Sequence, residues 1–226
     1  MFIIIDGIDG SGKTAQTNLL IERLKKEGRA VKIISFPQYG QKSAGPVEDY
    51  LNGNYGTAKE VGPYRASVFY AVDRFAAAQK ISAWLAEDKI VVANRYVASN
   101  MGHQGGKIKN NAERQKFFAW NDNLEYNIFK IPRPDINIIL HVMPEIAQRL
   151  VDKKAKRKYI NGKKRDLHEA DIEHLKNAEK TYLKITRIFQ NFTLVECVEN
   201  GNILQPEKIH EKIWQIIKLR LIKKTK

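Results

Sequence analysis

Apolar runs alternate with amphipathic stretches along the whole chain. Phe2 to Ile5 is an apolar run of strand length, and Thr14 to Glu27 carries Leu19, Leu20, Ile21 and Leu24 at helical spacing before Gly28, a suitable C-terminal stop. Val31 to Ser35 is a β-branched run, so strand, helix and strand form a βαβ unit with a right-handed crossover. Gln38 to Gly62, rich in Gly, Pro, Asn and Tyr, reads as a connection with one short helix over Pro46 to Leu51. Tyr64 to Ala86 is a long helix in which Tyr64, Val68, Val72 and Phe75 form one stripe, while Tyr70 and Arg74, four apart, share another part of the surface. Ile90 to Ala93 is a third strand. A helical stretch from Asn100 is interrupted by Gly102, Gly105 and Gly106, resumes from Asn111 to about Phe129, and is closed by Pro132 and Pro134. Asp135 to Val142 is a fourth strand, Pro144 opens a helix, and Val151 to Asp166 is a basic segment. A helix at Glu169 to Gln190, a fifth strand at Phe192 to Glu196 and a closing helix at Pro206 to Leu221 complete the pattern. This alternation predicts an α/β fold, a doubly wound parallel sheet of five strands flanked by helices, with ligands at the carboxyl ends of the strands.

Composition narrows the class without naming the chemistry. With 226 residues, 43% of them hydrophobic, the chain suits a single domain over 1–226, with a short basic lid at about 151–168 and a basic tail at about 222–226. No window approaches the roughly 18 apolar residues of a membrane span, and no leader pattern opens the chain, so a soluble, cytoplasmic protein is expected. Cys197 is the only cysteine, which excludes an intrachain disulfide and a thiolate metal cage. The net charge of +14 attracts anions and would permit non-specific nucleic-acid binding, but most of these lysines fall on solvated helix faces or in the tail, and nucleic acid is not the expected partner.

The chemistry begins at Gly7-Ile8-Asp9-Gly10-Ser11-Gly12-Lys13-Thr14, between the first strand and the first helix. The glycine spacing lets successive backbone N–H groups wrap a polyphosphate at a helix N-terminus, Lys13 reaches the outer phosphates, and Thr14 offers a hydroxyl to Mg²⁺. This is a phosphate-binding loop, and the fold expected is of the P-loop NTPase type. An Asn-Lys-x-Asp guanine motif is absent, and the third strand ends in Asn94-Arg95 where a motor ATPase usually has an acidic pair. A small-molecule kinase fits better.

The acceptor follows from what it needs. A hydroxyl must lose its proton, so a nucleoside kinase generally keeps a carboxylate after the second strand, where this chain has Ser35-Phe36-Pro37-Gln38-Tyr39. A monophosphate is already an anionic nucleophile and needs cations instead, which Arg95 and the basic segment supply.

These motifs, in this order, resemble the thymidylate (dTMP) kinase family over most of the chain. The loop Gly7 to Thr14, Phe36 to Tyr39, Tyr70 with Asp73-Arg74, Asn94-Arg95-Tyr96 with Ser99, Pro134-Asp135, and Asp166 with Glu169 each match a family motif. The resemblance implies an ATP- and Mg²⁺-dependent conversion of dTMP to dTDP by a cytosolic homodimer. It implies that Tyr70 stacks on thymine, that Arg74 bonds its carbonyl edge, and that Asn100 and Gln104 read the base and neighbouring groups. Arg95 would bind the acceptor phosphate, with Phe36, Pro37 and Tyr39 lining the nucleotide and His103 standing where the family often has a tyrosine beside the sugar. Asp9 would face the sugar 3′-hydroxyl or the Mg²⁺ shell together with Glu169, and Arg157 or Arg165 of the lid would close on the donor phosphates. Two departures stand out: Asn94 replaces the usual Asp before Arg95, and Gln38 replaces a common Arg before Tyr39. The alternatives left open are another nucleoside-monophosphate or deoxynucleoside kinase, and a catalytically weak nucleic-acid-binding derivative.

Overall fold

Five apolar runs, β1 (Phe2–Asp6), β2 (Val31–Ser35), β3 (Ile90–Asn94), β4 (Ile136–His141) and β5 (Phe192–Glu196), form one sheet in the order β2-β3-β1-β4-β5, every pairing parallel. The computed structural model describes residues 1–152 and 172–224. β1 is buried from end to end, and its side chains alternate between two cores. Phe2 and Ile4 pack with Ile81 and Tyr96 on one face, while Ile3 and Ile5 pack with Leu20, Leu175 and Trp214 on the other. Strands covered on both faces read as continuous apolar runs, which is why β1, β3 and β4 were plain in the sequence.

The helices are α1 (Lys13–Lys26), α2 (Gly45–Asn52), α3 (Ala58–Ala86), α4 (Val97–Ser99), α5 (Asn111–Asp122), α6 (Pro144–Asp152), α7 (Ile172–Ile188) and α8 (Pro206–Lys224). α3 starts earlier than its apolar pattern suggests, because Thr57 and Glu60 form a capping box ahead of Tyr64. The backbone then kinks at Gly62, φ 73°, before Pro63. Its alanine-rich face, with Ala71, Ala77 and Ala78 buried, lies against the fold, so the stripe Tyr64, Val72 and Phe75 points outward at 41%, 38% and 52% exposure. A two-stranded hairpin, β6 (Val198–Glu199) and β7 (Asn202–Ile203), was not foreseen although Asn200-Gly201 is a turn signal; both residues have positive φ.

The glycines after Asn100 do not break the chain into a loop. Residues Asn100–Gln104 form a π turn continuing α4, and Gly105–Lys107 a 3₁₀ turn. A Cβ on Gly102 would collide with the Tyr182 ring, so glycine is what lets α7 dock against this turn. A second π turn, Asn123–Ile128, extends α5.

α7 is also tied to the sheet by His141, whose Nδ1 lies 2.6 Å from Glu196 Oε2 and whose Nε2 lies 2.9 Å from Glu179 Oε1. Burial opposes the imidazolium, but the hydrogen bonds and charges of Glu196 and Glu179 outweigh it and raise the pKa above the ordinary histidine value. The folded imidazole therefore holds its proton more tightly than the unfolded one. Its contribution is complete below about pH 6.5 and is lost as pH rises through the folded pKa. With the screening of a part-exposed cluster taken into account, His141→Gln is expected to lower Tm by about 3 °C at pH 5.5 and to leave it unchanged at pH 9. Thermal melts at the two pH values test this, and an equal loss at both would assign the residue a packing role only. Cys197 beside this cluster is buried, which pushes its thiol up to about 12 and leaves it unreactive.

Candidate active site

The sheet opens a cleft of about 610 Å³ at the carboxyl ends of β1, β2 and β3. This is the location expected of a doubly wound sheet whose strand order reverses beside β1. Its floor is the loop after β1. Gly7, Gly10 and Gly12 have φ of 142°, 87° and 85°, and a Cβ on Gly10 would collide with the Ala147 carbonyl of α6. The loop thus closes to a radius that only glycine permits. Lys13 is buried, with Nζ 3.0 Å from the Gly7 carbonyl and 2.7 Å from that of Ile8, so its ammonium is fixed over the loop. Asp9, Gly10, Gly12, Lys13 and Thr14 line the cleft, whereas Gly7, Ile8 and Ser11 stand behind it as the frame.

One wall comes from the end of β3. Arg95 has φ 68°, a left-handed conformation that costs a non-glycine residue about 1 kcal/mol. Its N–H is held by the Ile5 carbonyl at 3.0 Å while its side chain turns into the cleft. Nη2 pairs with Asp9, Nη1 lies 3.9 Å from Asp6, and Nη1 also reaches Ser99 Oγ at 3.4 Å and His103 Nε2 at 3.1 Å. Burial disfavours the guanidinium charge, but Asp9 and Asp6 override it and hold the pKa above its ordinary value.

Asp6 is the residue that sequence reasoning passed over. It accepts from Gly7 N–H at 2.8 Å and from the hydroxyls of Ser99 and Tyr182 at 2.9 Å each, which joins the loop, the turn after β3 and α7 at one buried carboxylate. A lone acid ending an otherwise apolar strand was the available signal. Ser99 accordingly directs its hydroxyl proton at Asp6.

His103 lies fully within this network. Because Arg95 can only donate, His103 Nε2 accepts and Nδ1–H donates to His174 Nε2 at 3.2 Å. Burial first, then the positive charges of Arg95 and Lys13, push its pKa well below the ordinary value, so the imidazole is neutral at pH 7.

Phe36, Pro37 and Tyr39 line the second wall, joined by a cis peptide between Phe36 and Pro37. Gln38 turns away from the cleft: its backbone N–H and side-chain amide both hold the Asp73 carboxylate, at 2.8 and 3.1 Å. Gln38 therefore ties this loop to α3. Tyr70, Arg74, Asn100 and Gln104 line the far end. Arg74 is fully buried and ion-paired with Glu125, a partner the sequence did not suggest. Lys107 donates to Gln104 Oε1 at 2.7 Å and to Tyr50 OH at 2.8 Å, and burial pulls its pKa down to about 7.

Asp9 is the only carboxylate among the described residues that line the cleft. Asn94 donates from Nδ2 to Thr14 Oγ1 at 3.3 Å, and its Oδ1 is buried with no hydrogen-bond partner among the described residues. An orphaned amide oxygen beside the Thr14 hydroxyl and near Asp9 is a hard oxygen donor set that fits Mg²⁺, which takes its other ligands from phosphate and water. Arg157, Arg165 and Glu169, with the body of the expected lid, lie outside the described residues, as do the last two residues of the tail.

Comparison with known proteins identifies the family. A family model described as thymidylate kinase matches residues 5–213. A thymidylate kinase of Mycobacterium tuberculosis (strain CDC 1551 / Oshkosh) is 30% identical over 82% of this chain and 85% of its own length. One from Thermosipho africanus is 31% identical over 87% and 89%. Among solved structures, a thymidylate kinase from Candida albicans, reported for its broad substrate specificity, superposes with a TM-score of 0.72 at 18% identity, covering 97% of this chain and 91% of that one; this likeness concerns the fold. By its sequence match across the P-loop, the sheet and the helices around the cleft, the chain belongs to the thymidylate kinase family of nucleoside-monophosphate kinases.

Proposed function

We propose that the protein transfers the terminal phosphoryl group of ATP to dTMP, giving dTDP and ADP, with Mg²⁺ as cofactor. The observation that carries this reading is the pairing of Arg95 with Asp9 of the phosphate-binding loop, the only carboxylate lining the cleft among the described residues. A hydroxyl acceptor would need that acid free as a general base, whereas a phosphate acceptor does not.

An acceptor phosphate oxygen attacks the γ-phosphorus of ATP as the bond to the β-phosphate oxygen breaks, and no proton has to be removed first. The loop amides and Lys13 hold the donor phosphates, and the guanidinium of Arg95, oriented by Asp9 and Asp6, holds the acceptor phosphate in line. Mg²⁺, when bound, neutralises charge on the donor phosphates. Thr14, Asn94 and Asp9 would hold it, with Glu169 joining from the start of the helix expected after the lid, and Arg157 or Arg165 of the lid would reach the donor. Tyr70 would stack on the base while Arg74, Asn100 and Gln104 face its edge, and His103 and Ser99 would lie toward the sugar.

Purified protein assayed with ATP, Mg²⁺ and a panel of dTMP, dUMP, dCMP, AMP and thymidine tests the reading. Preferred turnover of dTMP is expected. Better turnover of thymidine would overturn it, and salt-sensitive DNA binding with no turnover would favour a nucleic-acid-binding derivative.

A cytoplasmic homodimer is part of the same proposal. No helix among the described residues is long and apolar enough to cross a membrane. The outward stripe of Tyr64, Val72 and Phe75, with Ile128 at 61% exposure near its end, is an apolar face suited to a second copy. Val72→Glu with Phe75→Glu is expected to convert the dimer to monomer in sedimentation experiments. A dimer unaffected by both charges would place the interface elsewhere.

A further inference from the structure

The side chains facing the far end of the cleft are fixed from behind. Glu125, on the π turn Asn123–Ile128, is fully buried. Arg74 Nε lies 3.0 Å from each of its oxygens and Nη2 also donates to Oε1. Asn100 Nδ2 approaches the same Oε1 at 3.5 Å and donates to the Ser67 carbonyl at 3.1 Å and to Asn121 Oδ1 at 3.2 Å. A carbonyl and a carboxylate only accept, so the nitrogen of the Asn100 amide must face them. Its Oδ1 is left toward the cleft that Asn100 lines, while the Arg74 guanidinium keeps N–H donors beyond those that Glu125 and the Tyr96 carbonyl use. Because Arg74 and Asn100 share one oxygen of Glu125, this donor and this acceptor lie side by side. Lys107 acts likewise on the third residue: its Nζ donates to Gln104 Oε1, which leaves the Gln104 amide nitrogen as a donor. A half-buried ammonium whose partners among the described residues are an amide and a phenol is an expensive arrangement to keep without a positioning purpose.

We propose that Glu125, assisted by Lys107, is a positioning residue that sets the hydrogen-bond polarity of the base-facing end of the cleft. The cleft then presents a donor from Arg74, an acceptor from Asn100 and a donor from Gln104. A pyrimidine with a 4-oxo group and an N3–H offers the complementary acceptor, donor and acceptor. A 4-aminopyrimidine inverts the first two and sets donor against donor and acceptor against acceptor. The ligand class is thus the 4-oxopyrimidine nucleotide. The sequence motifs give no hint of the part played by Glu125, because it stands 51 residues from Arg74 and meets it only through the fold. Asn100, Gln104 and Glu125 sit on π turns, irregular backbone that places consecutive side chains off the ordinary helical spacing, while Arg74 reaches them from α3.

The inference rests on the acceptor reading above and deepens it. Its test compares dTMP with dCMP for the unaltered enzyme, Glu125→Gln and Lys107→Met, with ATP KM and thermal melting measured in parallel. The unaltered enzyme is expected to favour dTMP over dCMP in kcat/KM by about 10³-fold or more. Glu125→Gln keeps the shape but replaces one accepting oxygen with a donor, so dTMP KM should rise about tenfold or more and the dTMP to dCMP ratio fall by at least about tenfold, with ATP KM within about twofold. Lys107→Met should raise dTMP KM about threefold and narrow the same ratio. A folded Glu125→Gln protein with dTMP KM and selectivity within about twofold of the unaltered enzyme would overturn the inference. Should that variant not fold, unchanged values in Lys107→Met would overturn it instead. Turnover of dTMP with no preference over dCMP would sink the polarity inference alone, whereas absence of any dTMP turnover in the unaltered protein would remove the reading beneath it.

Discussion

Replacing Arg95 with alanine is expected to lower kcat by about 10³-fold with the fold intact, because among the described residues the guanidinium is the one fixed cation between the phosphate-binding loop and the acceptor end of the cleft. The magnitude has two sources. Removing the positive charge withdraws stabilisation from a transition state whose charge is spread over the phosphoryl oxygens. It also leaves Asp9 and Asp6 uncompensated, so two carboxylates would then repel the acceptor phosphate that Arg95 had attracted. Arg95→Lys should recover only part of the loss, since an ammonium cannot fork between Asp9 and the phosphate as a guanidinium can. Steady-state kinetics with dTMP and ATP, with melting curves as the control, check this. A kcat within about tenfold of the unaltered enzyme would assign Arg95 to the scaffold.

Arg74→Ala is expected to cost about 3–5 kcal/mol of stability and to raise dTMP KM far more than ATP KM. The stability loss follows from Glu125, which is fully buried and would be left without the guanidinium that pairs with it. Arg74 thus has two duties, and a double variant separates them. Arg74→Met with Glu125→Leu replaces the ion pair by apolar groups and should restore most of the stability. It should not restore the dTMP KM, because the guanidinium donor that faces the base is gone. Urea titration together with both Michaelis constants decides the matter. A double variant with normal stability and normal dTMP KM would show that the pair holds the fold and nothing else.

The His141 and Arg95 clusters illustrate how similar ingredients give different outcomes. Each joins a cation to two carboxylates. The His141 cluster stands where β4, β5 and α7 meet, away from the cleft, and works on stability. The Arg95 cluster opens onto the cleft, so its charge is available to a ligand.

By itself the sequence determined the order of strands and helices, the phosphate-binding loop and most of the residues that line the cleft. These are local or periodic features: strands covered on both faces must be apolar, a loop that wraps phosphate must have glycine where φ is positive, and residues at strand ends face the cleft by topology. Tertiary structure alone decided the partners. Asp6, Glu125 and Lys107 carry no motif, since a buried charge is identified by what surrounds it, and their partners Tyr182, Arg74 and Tyr50 lie 176, 51 and 57 residues away along the chain. The outward turn of the Tyr64, Val72 and Phe75 stripe was decided the same way, because the small alanines on the other side of α3 allow the closer approach to the core. Hydrophobic period tells that a helix has an apolar face, but only packing density between elements tells which of two such faces is covered.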